Sequence, residues 1–215
     1  GRLQENARFA LDLMIGDIRR AGYIGCSDAV ASVSNTLAGA GTATNLINFT
    51  NIIEGSENGG NWLPSASTEA IASVLPLGAM QTRPDAITVR YLSPLDNEIS
   101  LSANMANGLA ATVVPVACNP NADCTVDDPI AQFENIALSD CASTDIFSVS
   151  AVAASSLAHA GVALSKGYDT TSQLSRYVAN RYFIGNGMND NTGTPIPTLF
   201  RYTFAQDKDD SDGDG

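Results

Sequence analysis

From Arg2 to Ala21 the chain reads RLQENARFALDLMIGDIRRA, and it runs directly into Gly22-Tyr23-Ile24-Gly25-Cys26. At about 100° per residue, Leu3, Ala7, Ala10, Leu11, Met14, Ile18 and Ala21 share one arc, and Glu5, Arg8, Asp12 and Arg19 lie opposite. This is an amphipathic helix, and the arc predicts an apolar surface beneath it. Glu5 with Arg8 and Arg8 with Asp12 have the spacing of helical ion pairs. Arg19 and Arg20 fall in the last turn, where positive charge meets the negative end of the helix dipole, and Gly22 can adopt the left-handed conformation that ends a helix. No capping residue precedes Arg2, so the helix is expected to continue upstream.

At 215 residues the chain has the length of one domain with a sizeable core. The expected organisation is a single domain over 1–215, with a helix at 1–22, a long loop at 27–75, a sheet region at 86–204 and an acidic tail at 205–215. Only 16% of residues are charged and 18 are glycine, a surface composition that suits secreted or fibre-forming proteins. The longest apolar run, Gly108 to Cys118, is short and broken by Pro115, so nothing here has the length of a spanning helix. The net charge of −12 argues against general nucleic-acid binding, which needs a basic stripe. Four cysteines, an even number, fit an oxidising compartment.

Beyond the helix, Ser27 to Ser73 has no period, and the only tryptophan, Trp62, is expected to anchor this loop to the core. Ala86 to Leu92 (AITVRYL) alternates Ile87, Val89 and Tyr91 against Thr88, Arg90 and Leu92, which predicts a strand. Ile99 to Ser102 and Thr112 to Cys118 are shorter candidates, the second placed at a sheet edge by Pro115. Ser175 to Ile184 and Thr198 to Phe204 read as antiparallel neighbours with Tyr182, Phe183, Phe200 and Tyr202 available for cross-strand pairing. Cys118 and Cys124 flank Asn119-Pro120-Asn121, a turn that a local disulfide would close, although four cysteines permit three pairings.

Chemistry is sparse. His159 is the single histidine, so no histidine metal cluster is possible and any Ser-His-Asp triad would rest on it alone. Asp127 and Asp128 precede Pro129 in a turn, and no phosphate-cradling glycine loop occurs. An enzyme is not expected. The tail reads first as a solvated acidic segment. Asp210, Asp212 and Asp214 also fit the first half of a calcium loop, D-x-D-x-D-G, which makes them candidate metal ligands and calcium the one candidate cofactor.

The helix with its Gly-Tyr-Ile-Gly-Cys exit, the Gly59-Gly60-Asn61-Trp62-Leu63-Pro64 segment, Ser139-Asp140-Cys141 with the following strand, and Tyr182-Phe183-Ile184-Gly185 together resemble the PilW family of type IV minor pilins. The resemblance implies an α+β, pilin-like fold in which the N-terminal helix packs on an antiparallel sheet with long loops. It implies a structural role in the complex that starts and caps a pilus, with other minor pilins and the major pilin as partners. It also implies anchoring in the inner membrane through an apolar half-helix ahead of Gly1, exposure to the periplasm before assembly, and a place in the pilus at the cell surface afterwards. With Cys118 and Cys124 assigned to each other, Cys26 is left for Cys141. Phe9 and Leu13 lie off the main apolar arc, flanked by Arg2 and Arg20, and these four are the expected partner-binding residues. The competing expectation is that the sheet or the long loop covers Phe9. A type II secretion pseudopilin and a calcium-dependent surface adhesin are the rival functions.

Overall fold

The computed structural model describes residues 2–27, 32–37, 45–57, 61–64, 85–95, 100–108, 113–115, 130, 134–153, 156–159, 163–189 and 195–204. The helix α1 spans Arg2–Arg20. It ends at Gly22, whose φ of 75° is the left-handed conformation expected of a terminating glycine. A Cβ there would lie 2.7 Å from Cδ1 of Ile52, so packing as well as backbone conformation requires glycine. The Gly22 amide donates to the Arg90 carbonyl at 2.9 Å, which ties the helix exit to a strand.

Among the described residues ten strands follow: β1 (Val33–Asn35), β2 (Ile53–Ser56), β3 (Ala86–Pro94), β4 (Val113–Pro115), β5 (Asn135–Ser139), β6 (Thr144–Ser148), β7 (Ala151–Ala153), β8 (Ser156–Ala158), β9 (Gln173–Asn189) and β10 (Pro195–Phe204). Seven form one sheet in the order β1-β6-β5-β9-β3-β2, with β10 also paired to β9. The remaining three form a small sheet in the order β4-β8-β7. This corrects the expected α+β arrangement of a helix packed on an antiparallel sheet. The described residues contain one α-helix and are dominated by strands, and the large sheet is mixed because β1 runs parallel to β6. Strands β1 and β2 and a 3-10 turn at Asn45–Ile47 arise within the segment expected to be a long loop. Such short strands carry no alternation long enough to read; their pairing with β6 and β3 creates them.

The chain divides into two compact units assembled from interleaved segments. One comprises residues 1–22, 43–91 and 179–204: α1, β2, most of β3, the second half of β9, and β10. Its polar-looking β3 face is buried, contrary to the simple alternation of AITVRYL. Arg90 and Glu54 form a fully buried ion pair at 2.5 Å. Arg181 donates to Thr88 Oγ1 at 3.1 Å and lies 4.4 Å from the centre of the Trp62 ring, which is itself fully buried. Each charge thus has an opposite charge or a π face against it, the condition for burying a guanidinium without a large desolvation loss. On the same face Phe183 stacks on Phe200 with centroids 5.4 Å apart. The expected aromatic ladder therefore has its Phe–Phe rung, but Tyr182 faces the other way and sits opposite Arg201.

The other unit comprises residues 23–42, 92–178 and 205–215. Its described core is a cluster that includes Leu101, Ile136, Leu138, Phe147, Val149 and Leu174. Strand β5, paired on one edge with β6 and on the other with β9, is buried throughout. Buried Asp145 accepts hydrogen bonds from the Ser165 amide and hydroxyl and from the Tyr168 hydroxyl, which fixes the 163–169 segment. Among the described residues strand β4 pairs only with β8, in agreement with the edge position expected from Pro115. Of the expected strand Ile99 to Ser102, the described residues 100–102 include an isolated bridge between Ser100 and Gln173.

Candidate functional site

The candidate site is α1 and the strands that hold its last turn. Asp17 is the one residue of the helix that is buried, at 2% exposure, among those whose side chains are described. Its Oδ1 accepts from the Tyr91 hydroxyl at 3.0 Å, and its Oδ2 accepts from Asn180 Nδ2 at 2.6 Å and from the Tyr182 hydroxyl. Alternation along β3 and β9 places Tyr91, Asn180 and Tyr182 on the sheet face opposite Trp62. Arg20, one turn further along the helix, brings Nη2 to 3.4 Å from Asp17 Oδ1 and its guanidinium to 5.1 Å from the Tyr91 ring centre. Burial, together with the adjacent Asp17 charge, pushes both phenols up to about 12. They remain neutral donors to the carboxylate over the whole physiological range. With both carboxylate oxygens engaged by donors, Asp17 is an anchor rather than a proton-transfer group.

Above this anchor the helix is uncovered. Residues 4–9, 11–13 and 15 are exposed, and Ala10 and Met14 are only half-buried. Phe9 is 66% exposed and Leu13 40%, on one flank; Leu11 is 55% exposed and shares the other flank with Ile15 and Ile18, both also exposed. The main apolar arc was expected to be used against the sheet, but the face that meets the sheet is the narrow line Ala10-Met14-Asp17-Ala21. Sequence reasoning missed Asp17 because an acidic residue beside an apolar arc reads as solvated. The only signal was its i,i+3 relation to Arg20, together with tyrosines spaced to point to one sheet face.

Of the other expected partner residues, Arg20 lies between Asp17 and solvent, and the side chain of Arg2 lies outside the described residues. Cys26 and Cys141 are brought together, both exposed and both as free thiols. A hydrogen bond with the Cys141 thiol is the main cause that raises the Cys26 pKa to about 11, with burial and the neighbouring sulfur adding to it. Gly25 positions Cys26: its φ is 84°, and a Cβ would come within 2.5 Å of Ser139 Oγ. Asp140, beside Cys141, accepts from the Ala142 and Ser143 amides at 2.9 Å and from Lys166 Nζ. Burial works to raise its pKa, but these donors outweigh it and hold the carboxyl below the ordinary range. Cys118, Cys124, Asp210, Asp212 and Asp214, on which the local disulfide and the calcium loop were expected, lie outside the described residues.

His159 is buried, edge-to-face with Phe147 at 5.5 Å between centroids, and is a core residue. Among the described residues no cluster of three or more His, Cys, Asp or Glu side chains is arranged to hold a metal ion. None of the described helices is long and apolar enough to cross a membrane. No family model, curated protein or solved structure matches the chain.

Proposed function

We propose that this chain is a structural subunit of a type IV pilus, a minor pilin of the PilW type that works in the complex that starts and caps the filament. The single observation that carries the reading is the helix: α1 is anchored through Asp17 in its last turn while Phe9 and Leu13 stand exposed on one flank. A 19-residue amphipathic helix whose apolar side chains face water is an interaction element, because isolated burial of Phe and Leu stabilises by roughly 1.5–3 kcal/mol each and is forgone here. The Gly-Tyr-Ile-Gly-Cys exit supplies the resemblance, and the mixed, strand-dominated sheet contributes nothing to the assignment. In this reading Phe9 and Leu13, flanked by Arg2 and Arg20, pack against helices of other minor pilins and of the major pilin. The protein is held at the inner membrane before assembly and becomes part of the filament afterwards.

The test is to replace Phe9 and Leu13 together by serine and compare thermal melting of the domain with pilus assembly in cells. Because both residues are exposed, melting should stay within about 0.5 kcal/mol per site of the parent. Loss of pili at unchanged melting is the expected outcome. Normal piliation would overturn the proposal.

A further inference from the structure

We propose that β10 is a dimerisation edge, along which a second copy of this chain adds its own β10 antiparallel and two strands join the sheets of the two copies. The proposal uses a different surface from the exposed flank of α1 and does not rest on the pilus reading. Strand β10 pairs with β9 along one edge from Pro195 to Phe204, and among the described residues no strand pairs with its other edge. Natural edge strands are shielded by prolines, charges, bulges or short length. Here Pro195 and Pro197 blunt only the beginning, and Thr198 to Phe204 keeps every N–H, with Arg201 as its single charge. Its aromatic side chains are left half-covered: Phe200 and Tyr202 pack on the Trp62 cluster but are only partly buried, as is Phe204.

The sequence of β10 selects a second copy as the occupant. A two-fold axis normal to the sheet keeps each face continuous, so it must pass through a residue paired with itself. Centring on Arg201 sets Arg201 against the partner's Arg201, like charges directly opposite. Centring on Phe200 sets Thr203 against the partner's Pro197, which has no N–H to donate. Centring on Tyr202 avoids both. Phe200 then lies opposite the partner's Phe204 twice, Tyr202 lies opposite the partner's Tyr202, and the aromatic face of each copy continues into the other. On the opposite face Arg201 meets the partner's Thr203, also twice.

That register gives a charge test at Thr203, whose side chain is exposed and makes no hydrogen bond among the described residues of its own copy. Sedimentation equilibrium of the parent protein should show a concentration-dependent dimer. Thr203→Glu puts a carboxylate opposite the partner's Arg201 at two symmetric sites and should tighten the dimer roughly 2- to 30-fold, whereas Thr203→Arg should weaken it by a similar factor. Thermal melts of both variants at low concentration check that each is folded. A protein that stays monomeric up to its solubility limit overturns the proposal. So does a dimer whose dissociation constant moves in the same direction, or not at all, in the two variants.

Discussion

Replacing Asp17 by alanine tests whether one carboxylate holds the helix to the sheet. The substitution removes the acceptor for the Tyr91 hydroxyl, the Tyr182 hydroxyl and Asn180 Nδ2, all on buried residues. Removing one member of a buried, charge-assisted group costs about 3–5 kcal/mol, since the donors left behind lose their partner. For a chain of 215 residues each kcal/mol corresponds to about 2–4 °C, so the melting temperature should fall by about 6–20 °C. The helix should suffer most. With its other described side chains exposed or half-buried, it has little packing to stabilise it, and an isolated helix of this length is marginal in water. Hydrogen exchange should therefore show amides of Gln4–Ile18 losing protection while Ile136–Leu138 in β5 keep theirs. Asp17→Asn should cost less, about 1–2 kcal/mol, because the amide retains one acceptor and Asn180 can rotate its otherwise unbonded Oδ1 toward the new donor. A melting shift under 1 °C for the alanine variant, as an order of magnitude against those figures, with α1 still protected, would refute the anchor.

Further outcomes follow from the same geometry. Tyr91 and Tyr182 have folded pKa values raised from 10.0 to about 12, so their contribution is fully present below pH 10 and disappears as pH climbs toward 12. An alkaline unfolding titration should show a limb in that window, and Tyr182→Phe should shrink it. Asp140 behaves with the opposite sign: its lowered pKa stabilises above the ordinary carboxylate value and is lost as pH falls through the folded value, which acid titration of the Lys166 region would detect. Under oxidising conditions the adjacent thiols should close to a Cys26–Cys141 disulfide, and Cys118 should pair with Cys124; a Cys26–Cys118 peptide in a non-reduced digest would refute both pairings. Gly25→Ala should cost about 1–3 kcal/mol in urea denaturation, because alanine is strained at φ 84° and its Cβ would strike Ser139.

The helix, its stop at Gly22, β3, the core of β9 and the β10 pairing were legible in the sequence because each is a local pattern: a 3.6-residue period, a glycine after arginines, or alternation over seven or more residues. The Cys26–Cys141 disulfide was expected only by elimination, and the two residues stand as adjacent free thiols. What the chain could not announce was set by partners distant in sequence. The parallel β1–β6 pair joins residues about 110 apart, and three-residue strands have no period of their own. Burial of Arg90, Arg181 and Glu54 depends on Trp62 and Thr88 arriving from other segments, so charges that read as a wet face became core. The same logic inverted the helix. Periodicity established that α1 has an apolar arc, but only the tertiary structure decided that the sheet meets it through Asp17 and leaves Leu11, Phe9 and Leu13 to solvent. A hydrogen-bonded carboxylate with three buried donors outweighed the apolar contacts that the sequence pattern alone would have chosen.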